Sequence, residues 1–377
     1  MNEITLTQKL IQFNTINPPG NEQECVFFIG ELLKSFGMSI QYYEFAEKRT
    51  SLIASYLPQK NQLALCFNGH IDTVPLGEDS WEHDPFSGTI DSDKLHGRGS
   101  SDMKSGVAAV IIAVKEAITK KSAQNIIMII TAGEEIGCRG AHFLKKSNYL
   151  PQNIGALIIA EPTANDPFIG HKGVLWLRAK SKGVTAHGSM PEKGDNAILR
   201  LIKAFQKLDD FSFQNIEDPI FGKPTLNIGM IQGGQNINSV PDEAFFTIDI
   251  RTINKQNHNL IINELKSLFE PEASLEIIEN VPGIYSEPNH PWIQNIFEYL
   301  SNFHKISVRP SVITYGTDAS YLKEGLKNPP TIIIGPGEPQ LAHKTNEFCF
   351  TSKITEAKDI FSKMIDQWSN FSSLNQE

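Results

Sequence analysis

Two histidines and several carboxylates stand where apolar segments of this chain end. "GHIDTVP" places His70 and Asp72 two residues apart, a spacing that puts both side chains on one face of a strand. Such a pair suits a metal-binding imidazole whose second ring nitrogen is held by a carboxylate. It suits equally a strand-end histidine capped by its neighbour. "GRGSSDMKSG" sets Asp102 in a glycine-rich loop at the start of an apolar helix, where a helix-capping aspartate is the alternative to a ligand. "TAGEEIG" follows the run "NIIMII" and puts Glu134 and Glu135 side by side. Adjacent strand residues point to opposite faces, so the two carboxylates call for different roles unless both are solvated loop residues. "IIAEPT" ends another apolar run on Glu161, and "GPGEPQLAHKTNE" carries His343 into a Gly/Pro-rich loop after "TIIIG".

Together these positions describe one kind of site. Buried acidic groups are costly unless paired or bound to a metal. Two histidines and three carboxylates, all nitrogen or oxygen donors, match a zinc-type centre better than an iron–sulfur or calcium one. Two divalent ions would meet the charges of Asp102, Glu135 and Glu161, and a hydroxide would complete neutrality. Glu134 is then left over, and a carboxylate beside an activated water is what a general base requires.

The elements that must position these groups can be read from periodicity. "TSLIASYL", "QLALCFNGHIDTV", "NIIMIITA" and "IGALIIAEP" read as strands, and Val107, Val110, Ile111, Val114 and Ile118 recur at helical spacing. Apolar strands alternating with helices predict a largely parallel sheet, whose carboxyl ends gather functional loops. From about Gly173 the order becomes strand, helix, strand, strand, helix, strand, ending near "SLEIIENV". That is the ferredoxin-like series. The alternating pattern resumes with "PPTIIIGPG" and a last helix around "ITEAKDIFSKMIDQW". One α/β domain interrupted by a smaller insert is the simplest topology.

Bulk properties exclude other classes. A net charge of −9 and a pI near 5.6 argue against nucleic acid, which needs a basic surface. Apolar stretches such as "GVAAVIIAV" are too short to span a membrane, and "MNEITLTQKLIQF" reads as an amphipathic helix rather than a signal peptide. Cys25, Cys66, Cys138 and Cys349 show no CxxC spacing, so the expectation is a cytoplasmic protein without disulfides. No GxSxG elbow, P-loop or GxGxxG fingerprint occurs, which disfavours serine-hydrolase and nucleotide chemistry.

The set "GHIDTVP", "GRGSSDMKSG", "TAGEEIG", "AEPT" and "AHKTNE", in this order, with "NTINPPGNE" near the start, resembles the zinc metallopeptidases that include acetylornithine deacetylase, succinyl-diaminopimelate desuccinylase and aminoacylase. The resemblance implies an α/β catalytic zinc-peptidase domain at residues 1–172 and 286–377. It implies an inserted ferredoxin-like lid and dimerisation domain at residues 173–285. His70 and Glu161 would hold one Zn2+, Glu135 and His343 the other, with Asp102 bridging and Co2+ able to substitute. Asp72 would orient His70, Glu134 would be the base, and Asp102–Met103 is a candidate cis peptide.

In "GVTAHGSMP" the resemblance makes His187 an oxyanion donor reaching a partner subunit's site; a surface-loop histidine is the alternative. Asn238 and Arg251, with Gly316 and Thr317 of "YGTDAS", would contact substrate, although a strand-end salt bridge also accounts for Arg251. The implied activity is removal of an N-acyl group from a small amino acid by a homodimer. Deacetylation of N-acetylornithine, as in arginine biosynthesis, comes first, because the "GTSDGR" pattern of typical desuccinylases is missing at Gly316–Ser320. Succinyl-diaminopimelate desuccinylation, as in lysine biosynthesis, and hydrolysis of dipeptides or other N-acyl amino acids are the alternatives. A non-catalytic binding protein that kept the fold should have lost a ligand or the base, and all six positions are intact.

Overall fold

The computed structural model describes residues 1–122, 124–213, 216–254, 256–305 and 307–374. The chain forms two compact units, the first comprising Met1–Gly170, Tyr285–Ser311 and Thr317–Glu377, the second His171–Ile284 with Val312–Gly316. The short return segment 312–316 departs from the boundaries expected from sequence. Its cause is backbone pairing: Ile313 forms a bridge with His171, and its carbonyl accepts the Lys172 N–H at 3.1 Å.

The sheet of the first unit has the order Ser39–Ala46, Arg49–Tyr56, Ile126–Thr131, Ala64–His70, Ile154–Ile159, Thr331–Ile333. The last four strands run parallel. Arg49–Tyr56 is antiparallel to both of its neighbours. Every residue of Ala64–His70 and Ile126–Thr131 is buried, as expected of parallel strands covered on both faces. Ser39–Ala46 is not legible from sequence because most of it is exposed, none of it is buried and it offers no apolar run.

Helix Ser105–Thr119 is buried along its whole first part, from Ser105 to Val114. Sequence periodicity predicted one apolar stripe, but Ala108, Ala109, Ile112 and Ala113 are covered as well. The helix lies against the Ala64–His70 strand, against helix Glu3–Ile11 and against helix Thr351–Leu374. A helix apolar on all sides is one packed on all sides. Near its start, a Cβ on Gly106 would collide with the Ala160 carbonyl oxygen. Only glycine permits that approach, which brings the helix beginning after Asp102 against the backbone that precedes Glu161.

The second unit is a four-stranded antiparallel sheet in the order Thr225–Gly233, Glu243–Thr252, Gly173–Lys182, Ser274–Val281, with helices Ala197–Gln206 and His258–Phe269. Its core alternates along the strands: Leu175, Leu177 and Ala179 on one, Ala244, Phe246, Ile248 and Ile250 on the next. Leu201 and Ala204 come from the first helix, Ile261, Leu265 and Phe269 from the second. Period-two burial on strands and period-3.6 burial on helices is the pattern of a sheet covered on one face. Among the described residues, no helix is long and apolar enough to cross a membrane.

Candidate metal centre

The parallel strands of the first unit deliver their carboxyl ends to one place. His70 closes Ala64–His70 and pairs in register with Thr131, which closes Ile126–Thr131 and leads into Glu134 and Glu135. Ile154–Ile159 leads into Glu161, and Thr331–Ile333 into the loop of His343. Asp102 arrives from the segment before helix Ser105–Thr119, across a cis Asp102–Met103 peptide. It does not cap that helix, whose N-cap is Lys104, so its carboxylate is free for the centre.

Asp102 stands between the two histidines. Its Oδ1 lies 3.1 Å from His70 Nε2, and its Oδ2 lies 3.4 Å from His343 Nε2. Glu135 Oε2 approaches His343 Nε2 at 2.9 Å, and Glu161 Oε2 is 4.0 Å from His70 Nε2. Ligand atoms of His70, Asp102 and Glu135 all fall within 4.8 Å of one another. All five predicted ligands are thereby brought together. Glu134 makes no contact with either histidine ring among these short approaches; its Oε1 lies 3.5 Å from Cys138 Sγ.

Asp72 meets the His70 ring through both its backbone carbonyl and its carboxylate. The strand ends at His70, and the ring Nδ1–H donates to the Asp72 backbone carbonyl at 3.0 Å, while the carboxylate Oδ1 is 3.6 Å away. The backbone bond fixes the tautomer and leaves Nε2 facing Asp102. The carboxylate also accepts the N–H of Glu134 at 3.0 Å, the N–H of Glu135 at 3.2 Å and Asn17 Nδ2 at 2.8 Å. Burial works to raise the Asp72 pKa, but His70, Asn17 and the Glu134 N–H hold it below the usual carboxylate range.

The electrostatics fit a cation. Burial, then the Asp102 charge, push Glu135 up to about 7. Burial also drives Glu134 and Glu161 well above the ordinary value; neighbouring carboxylates add to it and His70 opposes it. Burial would raise Asp102 too, yet hydrogen bonds from His343 and His70 hold it low. His343 is raised to about 11 by its bonds to Asp102 and Glu135. Glu135 Oε1 is buried without a hydrogen-bond partner. Glu161 is buried and Asp102 and Glu135 half-buried around two imidazoles, and with an orphaned oxygen among them they leave negative charge that divalent metal ions would compensate.

The remaining predicted positions are less uniform. His187, Asn238, Arg251 and Gly316 belong to the second unit, Thr317 to the first. His187 is exposed, and its Nδ1 accepts the Ser189 N–H at 3.2 Å. Asn238 is exposed, and its carbonyl accepts the Gly188 N–H at 2.7 Å. Arg251 donates through Nε to Asp249 Oδ1 at 2.9 Å and through Nη2 to Oδ2 at 3.2 Å, the salt bridge weighed as its alternative. Thr317 is fully buried, and its Oγ1 accepts the Ala319 N–H at 3.2 Å at the start of helix Ala319–Gly325.

Two contributors were not singled out from sequence. Asn17, in "NTINPPGNE", anchors Asp72 across 55 residues of chain. Asp318, in "YGTDAS", is buried and accepts the Thr131 hydroxyl beside the His70 strand end. Burial pushes Asp318 up to about 6 against that hydrogen bond. The quoted motifs contained both residues, but nothing in their spacing names a partner.

The profile of peptidase family M20/M25/M40 matches residues 66–367, a span holding all five candidate ligands. The chain is 29% identical to a probable succinyl-diaminopimelate desuccinylase of Staphylococcus aureus strain Mu50, covering 96% of this chain and 97% of that one. It is 28% identical to an acetylornithine deacetylase of Photorhabdus laumondii, over 92% and 91% of the two chains. In fold it is similar to an M20 family metallo-carboxypeptidase from Sulfolobus solfataricus, with a TM-score of 0.81 at 16% identity over 98% of this chain and 100% of that chain.

Proposed function

Because the chain belongs to peptidase family M20/M25/M40, a family of metal-dependent amide hydrolases, we propose that it removes the acyl group from an N-acyl amino acid. N-Acetylornithine is the first substrate in this reading, with ornithine and acetate as products. The observation that carries it is the convergence of His70, Asp102, Glu135, Glu161 and His343 in one cluster, with Glu134 beside it and outside the imidazole contacts. Two metal ions, zinc with cobalt able to substitute, suit these donors. His70 and Glu161 would hold one, Glu135 and His343 the other, and Asp102 would serve both. Metal bound there would activate water and polarise the scissile carbonyl.

The chain's own groups do the rest. Glu134 takes a proton from the attacking water and later hands it to the departing amine. Asp72 holds the Glu134–Glu135 backbone and, through its carbonyl, the His70 ring. His187, whose Nδ1 already accepts a hydrogen bond, keeps its Nε2–H as a donor for a developing oxyanion. Asn238, Arg251, Gly316 and Thr317 are the proposed substrate contacts. Arg251 would serve a substrate carboxylate by exchanging Asp249 for it, since its planar fork suits either.

A homodimer formed through the second unit and a cytoplasmic setting complete the proposal. The four free cysteines agree with the latter. Desuccinylation is the second reading, favoured by the name of the staphylococcal relative. Turnover of N-acetylornithine and N-succinyl-diaminopimelate on purified, zinc-loaded protein separates them. Faster cleavage of the acetyl substrate is expected. Faster cleavage of the succinyl substrate selects the second reading, and cleavage of neither rules out both.

A further inference from the structure

The Glu347 side chain is fully buried and accepts four hydrogen bonds. Its Oε1 takes the backbone N–H of Ser101 at 2.7 Å and of Asp102 at 3.0 Å. Its Oε2 takes the N–H of Gly99 at 3.0 Å and Arg98 Nη1 at 2.8 Å. Arg98 is buried too; Nη1 also reaches the Lys344 carbonyl at 3.0 Å, and Nη2 reaches the Pro75 carbonyl at 2.9 Å. This one ion pair therefore ties three segments together. They are the loop carrying Asp102, the residue after His343, and the chain that runs on from His70 and Asp72.

None of these bonds involves a candidate metal ligand's side chain, but one involves the backbone N–H of Asp102 itself. Asp102 must present its two oxygens to His70 and His343, and its own backbone, at φ −118° and ψ 95°, departs from helical geometry inside the short turn Ser100–Lys104 that precedes the helix. His343 sits at φ 64° on a loop anchored next door at Lys344. A carboxylate collecting consecutive backbone N–H groups is a strong, directional anchor, and anchors behind metal ligands control affinity.

We infer that Glu347 and Arg98 are positioning residues for the metal centre, setting the separation of Asp102 and His343. This rests on the reading of those residues as metal ligands. The test is the Zn2+ dissociation constant of the wild type and of Glu347→Gln, measured by competition with a chromophoric chelator. Circular dichroism and melting of the metal-free proteins are measured alongside. Glutamine keeps the size and one acceptor oxygen but turns an amide NH2 toward backbone donors. The expected result is a folded variant binding zinc roughly 10- to 100-fold more weakly, with Glu347→Asp intermediate.

Should Glu347→Gln fail to fold, Arg98→Lys decides by the same criterion. It keeps the charge beside Glu347 and gives up the fork that reaches both Lys344 and Pro75. Zinc affinity equal to wild type in a folded variant, even one with a lowered melting temperature, overturns the inference and leaves the metal reading standing. A wild type that binds no zinc overturns the metal reading itself.

Discussion

At Glu134 the peptide N–H is bonded to Asp72 Oδ1, and at Glu135 to Asp72 Oδ2, so a single buried carboxylate fixes the backbone of both glutamates while their side chains diverge. Glu135 turns to His343 and Asp102; Glu134 turns toward Cys138. Two negative charges side by side are tolerable because they serve different atoms. In Glu134→Gln the shape persists and the proton acceptor is lost. Turnover should fall by roughly 10²- to 10⁴-fold, with metal content by elemental analysis unchanged; near-normal turnover would remove Glu134 from the base role. The candidate ligands could be gathered from sequence because His70, Glu135 and Glu161 stand at or just past the ends of apolar runs and Asp102 just ahead of one. Spacing pairs Asp72 with His70 but does not reveal that the Asp72 carbonyl makes the shorter bond, since it gives a face and not the end of a strand. Asn17 and Glu347 were illegible as to role: their partners lie 55 and about 245 residues away, and only folding brings them together.

Among elements, the buried parallel strands were the most readable, because burial on both faces writes an unbroken apolar run. Ser39–Ala46 was the least readable, being mostly exposed beside the reversed strand Arg49–Tyr56. In the second unit, strand Thr225–Gly233 lies at the sheet edge. It carries Met230 at 57% and Ile231 at 65% exposure, just past a register shift between Ile228 and Met230. An exposed apolar edge strand is a liability unless something covers it. The proposed homodimer gives it an occupant, a second copy. Sedimentation of the wild type should then give twice the chain mass, and Ile231→Asp should shift the distribution toward monomer. A wild type that sediments as a single chain at micromolar concentration would contradict the dimer.

For the whole molecule, the candidate positions divide between the two units. One unit, built on a largely parallel sheet, supplies every candidate ligand and the candidate base. Of the proposed oxyanion and substrate contacts, His187, Asn238, Arg251 and Gly316 lie in the other. The two-unit organisation could be read from the change of strand and helix order, but the 312–316 return could not, because it depends on pairing with His171. The central claim is that the cluster around Asp102 is a metal centre on which amide hydrolysis depends. It is tested most directly by assaying one preparation on N-acetylornithine and N-succinyl-diaminopimelate three times: as purified, after exhaustive chelation with residual metal quantified, and after reloading with Zn2+. Hydrolysis should be lost on stripping and return with zinc. Undiminished hydrolysis by demonstrably metal-free protein would contradict it.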